Sequence, residues 1–295
     1  MTHCQLPLCE IGTLYIMKKY ALLFVAILLV TSFSFSQTPK DSIDIVSIKW
    51  DTKNIKRGAV WKSAQTELYG SPQSVNILEI KPKKKNRLGI TYCVDTLIVT
   101  TSLCEQVDAV AGVNASFFDM KNGGSVDYMR VNGKVIHQGR EAVNNSNSAI
   151  IIKGKEVSIV RLENGNTTAK SLSGSDILVA GPMLVSSFTV ESLLDNSFNK
   201  TRHPRTCAAI TKNGTLLLIT VDGRHESHAA GMSIKELAFL CKILGAKDAM
   251  NFDGGGSTAM YVKSYGERGI VNYPSDNKTF DHKGERRIAN IIYLK

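Results

Sequence analysis

Aromatic residues make up only 7% of this 295-residue chain, with two tryptophans among them. That scarcity weighs against a protein whose work rests on exposed ring platforms, for which Trp50, Trp61, Tyr128 and Tyr265 would be the candidates. Cysteine is equally sparing, and its spacing matches no zinc knuckle. No zinc-finger spacing and no aromatic-and-basic strand signature is present, so a nucleic-acid partner is not expected. The apolar run from Tyr20 to Val30 is too short to cross a bilayer. Repeats, low-complexity blocks and, after residue 50, Pro-rich or Ser-rich linkers are all missing, which points to a single domain. With 43% hydrophobic residues that domain can bury a sizeable core.

At the N-terminus, Lys18-Lys19, the apolar run and then Thr31-Ser32-Phe33-Ser34-Phe35-Ser36 follow the order of a secretory signal. A signal carries its charges at the start, so residues 1–16 read as an upstream extension, with Met17 as the initiator and cleavage near Ser36. The division expected is therefore 1–36 as extension and signal, and 37–295 as the folded domain, secreted or periplasmic in a bacterial envelope setting. No cysteine stands at the cleavage point, so neither a lipid nor any other stable membrane anchor is expected. Cys93, Cys104, Cys207 and Cys241 would meet an oxidising compartment. Cys207 and Cys241 lie in apolar settings that suit buried small hydrophobes, with pairing left open.

Acidic residues are in deficit: 36 Lys and Arg against 26 Asp and Glu give +10, and removing Lys18, Lys19 and Glu10 with residues 1–36 leaves 34 against 25, or +9. The excess favours an anionic partner such as a phosphorylated glycan. Its densest run, Lys81 to Arg87, lies between two apolar runs and reads as a solvated connection.

The pattern along the chain predicts an α+β fold: a mixed, antiparallel-rich sheet with β-hairpins and a few packed helices. Asp41 to Lys49 alternates as a short strand, Val75 to Ile80 and Leu88 to Val94 read as strands, and Thr100 to Val110 has helical spacing. Hairpins are expected at Asn132-Gly133, Lys153-Gly154-Lys155 and Asn213-Gly214. Ser233 and Glu236 form a capping box opening a helix that Gly245 stops. The strand Leu216 to Val221, this helix and the strand Ala249 to Phe252 make a crossover unit with parallel strands. Asp222 and Asp253 would then emerge at one end of the sheet.

The segment Asn251-Phe252-Asp253-Gly254-Gly255-Gly256-Ser257-Thr258 places a carboxylate at a bend with almost no side-chain cover, as a closely approaching ligand requires. Alone, such a glycine triplet is equally a hairpin tip. Asp222 is equally a turn aspartate, and Arg205 and Arg224 are equally partners of structural ion pairs. Arginines beside aspartates at the carboxyl ends of strands otherwise suggest an anion held next to an acid–base or nucleophilic group. His225 and His228 have a spacing compatible with a divalent metal but bring no third ligand. No cofactor is expected.

Asn114-Ala115-Ser116-Phe117-Phe118-Asp119, Ala180-Gly181-Pro182-Met183, Arg205-Thr206, Asp222-Gly223-Arg224, Gly231-Met232-Ser233, the 251–258 segment, and Asn272-Tyr273-Pro274-Ser275-Asp276 with Glu285-Arg286 resemble, in order and spacing, the phosphodiester glycosidase family. The resemblance implies hydrolysis of the bond between a sugar's anomeric carbon and a phosphodiester oxygen. Asp253 or Asp222 would be the nucleophile or water-activating base. Arg205 and Arg224 would clamp the phosphate, and Asn114 and Asn251 would hydrogen-bond the substrate, joined by Thr206, Gly254, Gly255 and Ser257. Glu236 is a further catalytic candidate, although its cap position already explains it. The partner implied is a sugar phosphodiester or phosphorylated glycan. Two rivals stand beside this reading: a metal-assisted phosphodiesterase cutting at phosphorus, and a non-catalytic envelope protein that binds glycans.

Overall fold

Apolar-rich, buried runs mark the strands at the centre of this protein, and their alternate residues serve two different cores. In Leu216–Val221 all six residues are buried. Leu216 and Leu218 face one core, while Leu217, Ile219 and Val221 face the other. A strand covered on both faces loses the polar alternation of a surface strand, because neither side meets water.

The structure is a computed structural model describing residues 38–81, 86–140 and 145–295, and Pro39–Lys295 form one unit. The expected signal and the middle of the lysine run lie outside the described residues. In chain order the strands are β1 (Asp51–Lys56), β2 (Ala59–Leu68), β3 (Ser71–Ile80), β4 (Leu88–Tyr92), β5 (Ile98–Val99), β6 (Ala111–Asn114) and β7 (Tyr128–Val131). Next come β8 (Lys134–Gln138), β9 (Ser148–Lys153), β10 (Glu156–Arg161), β11 (Asp176–Ala180), β12 (Met183–Ser186) and β13 (Thr189–Val190). The chain closes with β14 (Arg205–Thr211), β15 (Leu216–Val221), β16 (Ala246–Asn251), β17 (Met260–Val262), β18 (Arg287–Ile288) and β19 (Asn290–Leu294).

An eight-stranded sheet ordered β1-β2-β3-β15-β14-β16-β12-β13 forms the frame. One core, shared with Val113, Met129, Ile150, Leu178 and Ile292, joins it to a five-stranded sheet (β10-β9-β11-β7-β8) and a four-stranded sheet (β17-β6-β19-β4). The second core lies between the eight-stranded sheet and the helices Pro39–Val46 and Ile234–Ile243. Each fully buried Leu or Ile contributes about 1.5–3 kcal/mol of transfer free energy.

This is the α+β architecture the sequence predicts, and the pairings are antiparallel. β15 and β16 both pair antiparallel with β14, which lies between them, so they run parallel to each other. Hairpins form at Asn132-Gly133, where both residues take positive φ, at Gly154-Lys155, and across 212–215. Helix Ile234–Ile243 has the capping box, and Gly245 follows it at φ 87°.

One expected strand is a helix instead: within Asp41 to Lys49, residues up to Val46 belong to helix Pro39–Val46. Pro39 presets φ for a first helical turn, Lys40 and Asp44 pair one turn apart, and Ile45 and Ile48 are the buried pair. Ile43 and Val46, which complete the apparent alternation, are exposed. The helix predicted over Thr100 to Val110 is shorter, Thr100–Gln106. Tyr128 is also corrected as a binding platform, since it is 1% exposed and packs inside the five-stranded sheet's own core.

Candidate active site

Asp253 lies two residues beyond the end of β16 and is held by three hydrogen bonds. Its N–H donates to the Ala115 carbonyl (2.8 Å), its carbonyl accepts from Asn114 Nδ2 (2.6 Å), and its Oδ1 accepts from the Gly254 N–H (2.9 Å). The residue is half-buried. Burial pushes its pKa up to about 6, opposed by the Ser257 hydroxyl, the Gly254 N–H and the charges of Arg286 and Arg205.

The three glycines after Asp253 are closely crowded, Gly254 by backbone and the other two by side-chain ends. A Cβ on Gly254 would lie 2.7 Å from the Pro204 carbonyl oxygen, and one on Gly255 would lie 2.9 Å from Arg224 Nη2. One on Gly256 would lie 2.5 Å from both Arg286 Nη2 and Asp276 Oδ1. Gly255 also adopts φ 60°. The loop therefore lies between two guanidinium groups. Asp276 Oδ1 accepts from Arg286 Nε (2.9 Å) and Nη2 (2.5 Å), which fixes Arg286, whereas Arg224 is exposed.

Arg205, expected as a phosphate clamp, is 1% exposed. Its Nε donates to the Met232 carbonyl (2.9 Å), and Nη2 donates to those of Phe198 (2.9 Å) and Thr201 (2.8 Å). The guanidinium lies 5.0 Å from the Phe198 ring centroid, and burial lowers its pKa to about 10. Arg205 thus supplies positive charge beside Asp253 while its donors hold the surrounding loops.

Asn114 is a junction. Besides holding the Asp253 carbonyl, its Oδ1 accepts from the Thr206 hydroxyl (2.7 Å) and the Ala259 N–H (3.1 Å). Asn251, fully buried, donates from Nδ2 to the Gly181 (2.9 Å) and Phe252 (2.5 Å) carbonyls, next to the cis Gly181–Pro182 peptide. Beside that peptide opens a cavity of about 480 Å³, lined by Asn147, Pro182, Met183 and Asn199 among others.

Asp222 shares the rim but is sealed at 0% exposure. Its Oδ2 accepts from Ser74 Oγ (2.7 Å), and its Oδ1 from Asn272 Nδ2 (2.8 Å) and the Tyr273 N–H (3.0 Å). Burial raises its pKa against those donors. In this arrangement the carboxylate fixes the turn that carries Arg224 (φ 66°). Glu236 closes the capping box on the Ser233 N–H (2.8 Å) and binds Arg202 Nε through both oxygens (3.1 Å each). Both of its oxygens are therefore committed within the fold. His225 and His228 face each other Nδ1 to Nδ1 at 3.1 Å and both meet the Phe280 ring at a tilt.

Three neighbours of Asp253 and Arg224 were given no role by sequence reasoning: Arg286, its holder Asp276, and His203. Burial, together with the charges of Arg205 and Arg224, lowers the His203 pKa. Arg286 and Asp276 stand in the closing motif already quoted, and that motif is the signal that points to them.

A family model of phosphodiester glycosidases matches residues 108–295. Among solved structures, the zebrafish N-acetylglucosamine-1-phosphodiester alpha-N-acetylglucosaminidase catalytic domain superposes with a TM-score of 0.61 at 16% identity, covering 84% of this chain and 82% of that one. A hypothetical protein from Synechocystis gives 0.60 at 14% identity over 84% of this chain, which spans 64% of the Synechocystis protein's length. A Burkholderia pseudomallei protein, whose name classes it as exported, gives 0.56 at 17% identity, covering 77% and 75%. At these identities the likeness shows the fold. No functionally curated protein matches the sequence.

Proposed function

The chain belongs to the phosphodiester glycosidase family, and from that premise we propose that it hydrolyses the anomeric C–O bond of sugar-1-phosphodiesters with Asp253 as its working carboxylate. The observation that carries this reading is the pairing of the half-buried Asp253 carboxylate with a rim of guanidinium groups: Arg224 against Gly255, Arg286 against Gly256, and Arg205 behind them. Ordinary glycoside hydrolysis needs a second carboxyl group to protonate the departing alkoxide. A phosphate monoester leaves as a stable anion, so cations that stabilise developing charge can replace the acid. The sealed state of Asp222 fits that economy.

In the step proposed, the anomeric carbon loses its bond to the phosphodiester oxygen, whose electron pair stays on the departing phosphate. The carbon gains a bond either to Asp253, later hydrolysed, or directly to a water that Asp253 deprotonates. Arg224 and Arg286 would receive the phosphate. The sugar would occupy the cavity beside Pro182 and Asn199, at the same end of the sheet because β12 starts where β16 ends. The substrate of the zebrafish relative suggests an N-acetylhexosamine 1-phosphodiester as the first compound to assay. Export by the N-terminal signal forms part of the same proposal. Among the described residues no helix is long and apolar enough to cross a membrane.

Hydrolysis in heavy-oxygen water, run with and without chelator, tests the chemistry. Label in the sugar hydroxyl, independent of chelator, is the expected result. Label in the phosphate would overturn it in favour of attack at phosphorus.

A further inference from the structure

A second concavity, of about 410 Å³, includes none of the residues placed around Asp253. Its floor is a face of β2 and β3. Side chains two apart on a strand share a face, so Trp61, Ser63 and Gln65 stand in line on β2. The register sets Ser63 opposite Asn76 and Gln65 opposite Ser74. The result is a small array of hydroxyl and amide groups with an indole at one end.

Tyr273 and His282 form the other wall. Tyr273 is stacked between Phe280 (centroids 4.0 Å, 13° between planes) and His282 (4.4 Å, 24°). Trp61 donates from Nε1 to Asn76 Oδ1 (3.0 Å) and meets Tyr265 edge-on at 5.5 Å. The walls are held before any ligand arrives, which lowers the entropy cost of binding.

The chemistry of the lining selects its occupant. No arginine lines the groove, and its charged residues, Lys49 and Asp51, offset one another, so an anion gains little there. A purely apolar ligand would strip water from the amides and hydroxyls without replacing their hydrogen bonds. A molecule with C–H faces for the rings and hydroxyls for Gln65, Ser63 and Asn76 satisfies both, and the volume lies within the ~300–1,000 Å³ of small-molecule sites. We infer that this groove is a binding site for an uncharged pyranose sugar, separate from the site that receives the phosphodiester. The groove also abuts the catalytic rim: Ser74 and Tyr273, both in its lining, supply two of the three donors to Asp222.

With Trp50→Phe as background, Trp61 is the sole tryptophan, and its fluorescence reports on the groove without any need for turnover. Neutral methyl hexosides, methyl N-acetylhexosaminides and their disaccharides are the probes, with glycerol phosphate as the anionic control. At least one neutral sugar should shift the emission saturably. Gln65→Ala, at an exposed position that leaves folding intact, should weaken that binding about tenfold, and Asp253→Asn should leave it unchanged. The inference is overturned if no neutral sugar shifts the emission and ligand-observed NMR is also silent. It is overturned too if only glycerol phosphate binds, or if Gln65→Ala binds as tightly as its parent. Loss of binding in Asp253→Asn would likewise place the sugar at the catalytic rim and not in this groove.

Discussion

At the scale of single residues, the proposed site separates groups assigned to chemistry from groups of the same type that hold the fold. Asp253 and Asp222 are both aspartates after parallel strands, yet one is half-buried and the other is fully closed by Ser74, Asn272 and Tyr273. A base must be ionised, so kcat/KM should fall as pH drops below about 6, following the raised pKa of Asp253. Asp253→Asn should lower kcat by about 10²–10⁴-fold. The same substitution should stabilise the protein at pH 7.5. Because the folded pKa of Asp253 lies above the ordinary 3.8, the folded form binds the proton more tightly than the unfolded chain does. The stability tied to that proton is full below 3.8 and lost as pH rises through 6. A thermal melt of Asp253→Asn should therefore sit above wild type at pH 7.5 and beside it near pH 3.8. The arginines divide in the same way. Arg224→Ala, at an exposed side chain, should cost about 10²-fold in kcat/KM with little change in Tm. Arg205→Ala strands three buried carbonyls and should cost about 3 kcal/mol or more in denaturant unfolding.

At the scale of elements, the glycine loop has no spare room on the side of its cations. Gly256→Ala would drive a methyl group into the contact between Arg286 and Asp276, so activity should fall at least tenfold while the helix content seen by circular dichroism stays intact. Glu236→Gln should behave oppositely, with lower stability from the weakened Arg202 pairing but a kcat per folded molecule close to wild type. Hairpins and the capping box were legible in the sequence because each is encoded within a few consecutive residues, and the crossover because its strand, helix and strand succeed one another along the chain. Asn132-Gly133 requires positive φ, and Ser233 and Glu236 satisfy each other's amides. The closure of Asp222 was not legible, because its donors lie 148, 50 and 51 residues away and nothing local distinguishes a carboxylate about to be covered from one left open. The same limit hid Arg286, whose place against Gly256 depends on the path of the whole 272–286 loop. The strand expected at Asp41 to Lys49 failed for a different reason, since Ile43, Ile45, Val46 and Ile48 hold two-residue spacings and the three-residue spacing of Ile45 and Ile48 at once.

At the scale of the whole molecule, the candidate site exists because two sheets meet at one amide. Asn114 ends β6 of the four-stranded sheet, accepts from Thr206 on β14 of the eight-stranded sheet, and holds the Asp253 carbonyl and the Ala259 N–H on either side of the glycine loop. Its roles in architecture and in electrostatics can be separated with two substitutions. Asn114→Ala leaves Thr206 Oγ1, the Ala259 N–H and the Asp253 carbonyl without this partner, and should cost about 3 kcal/mol together with much of the activity. The pH at which the remaining activity falls off on the acid side should stay near that of wild type, because no charge is added. Asn114→Asp keeps an acceptor for Thr206 and Ala259 but loses the donor to the Asp253 carbonyl and sets a negative charge beside that residue. A like charge disfavours ionisation, so the acid limb of kcat/KM should move upward from about 6 by roughly one pH unit. Equal profiles for the two variants would mean that Asp253 is not the group whose ionisation limits the rate, and a base elsewhere, such as His203 beside the charges of Arg205 and Arg224, would take its place.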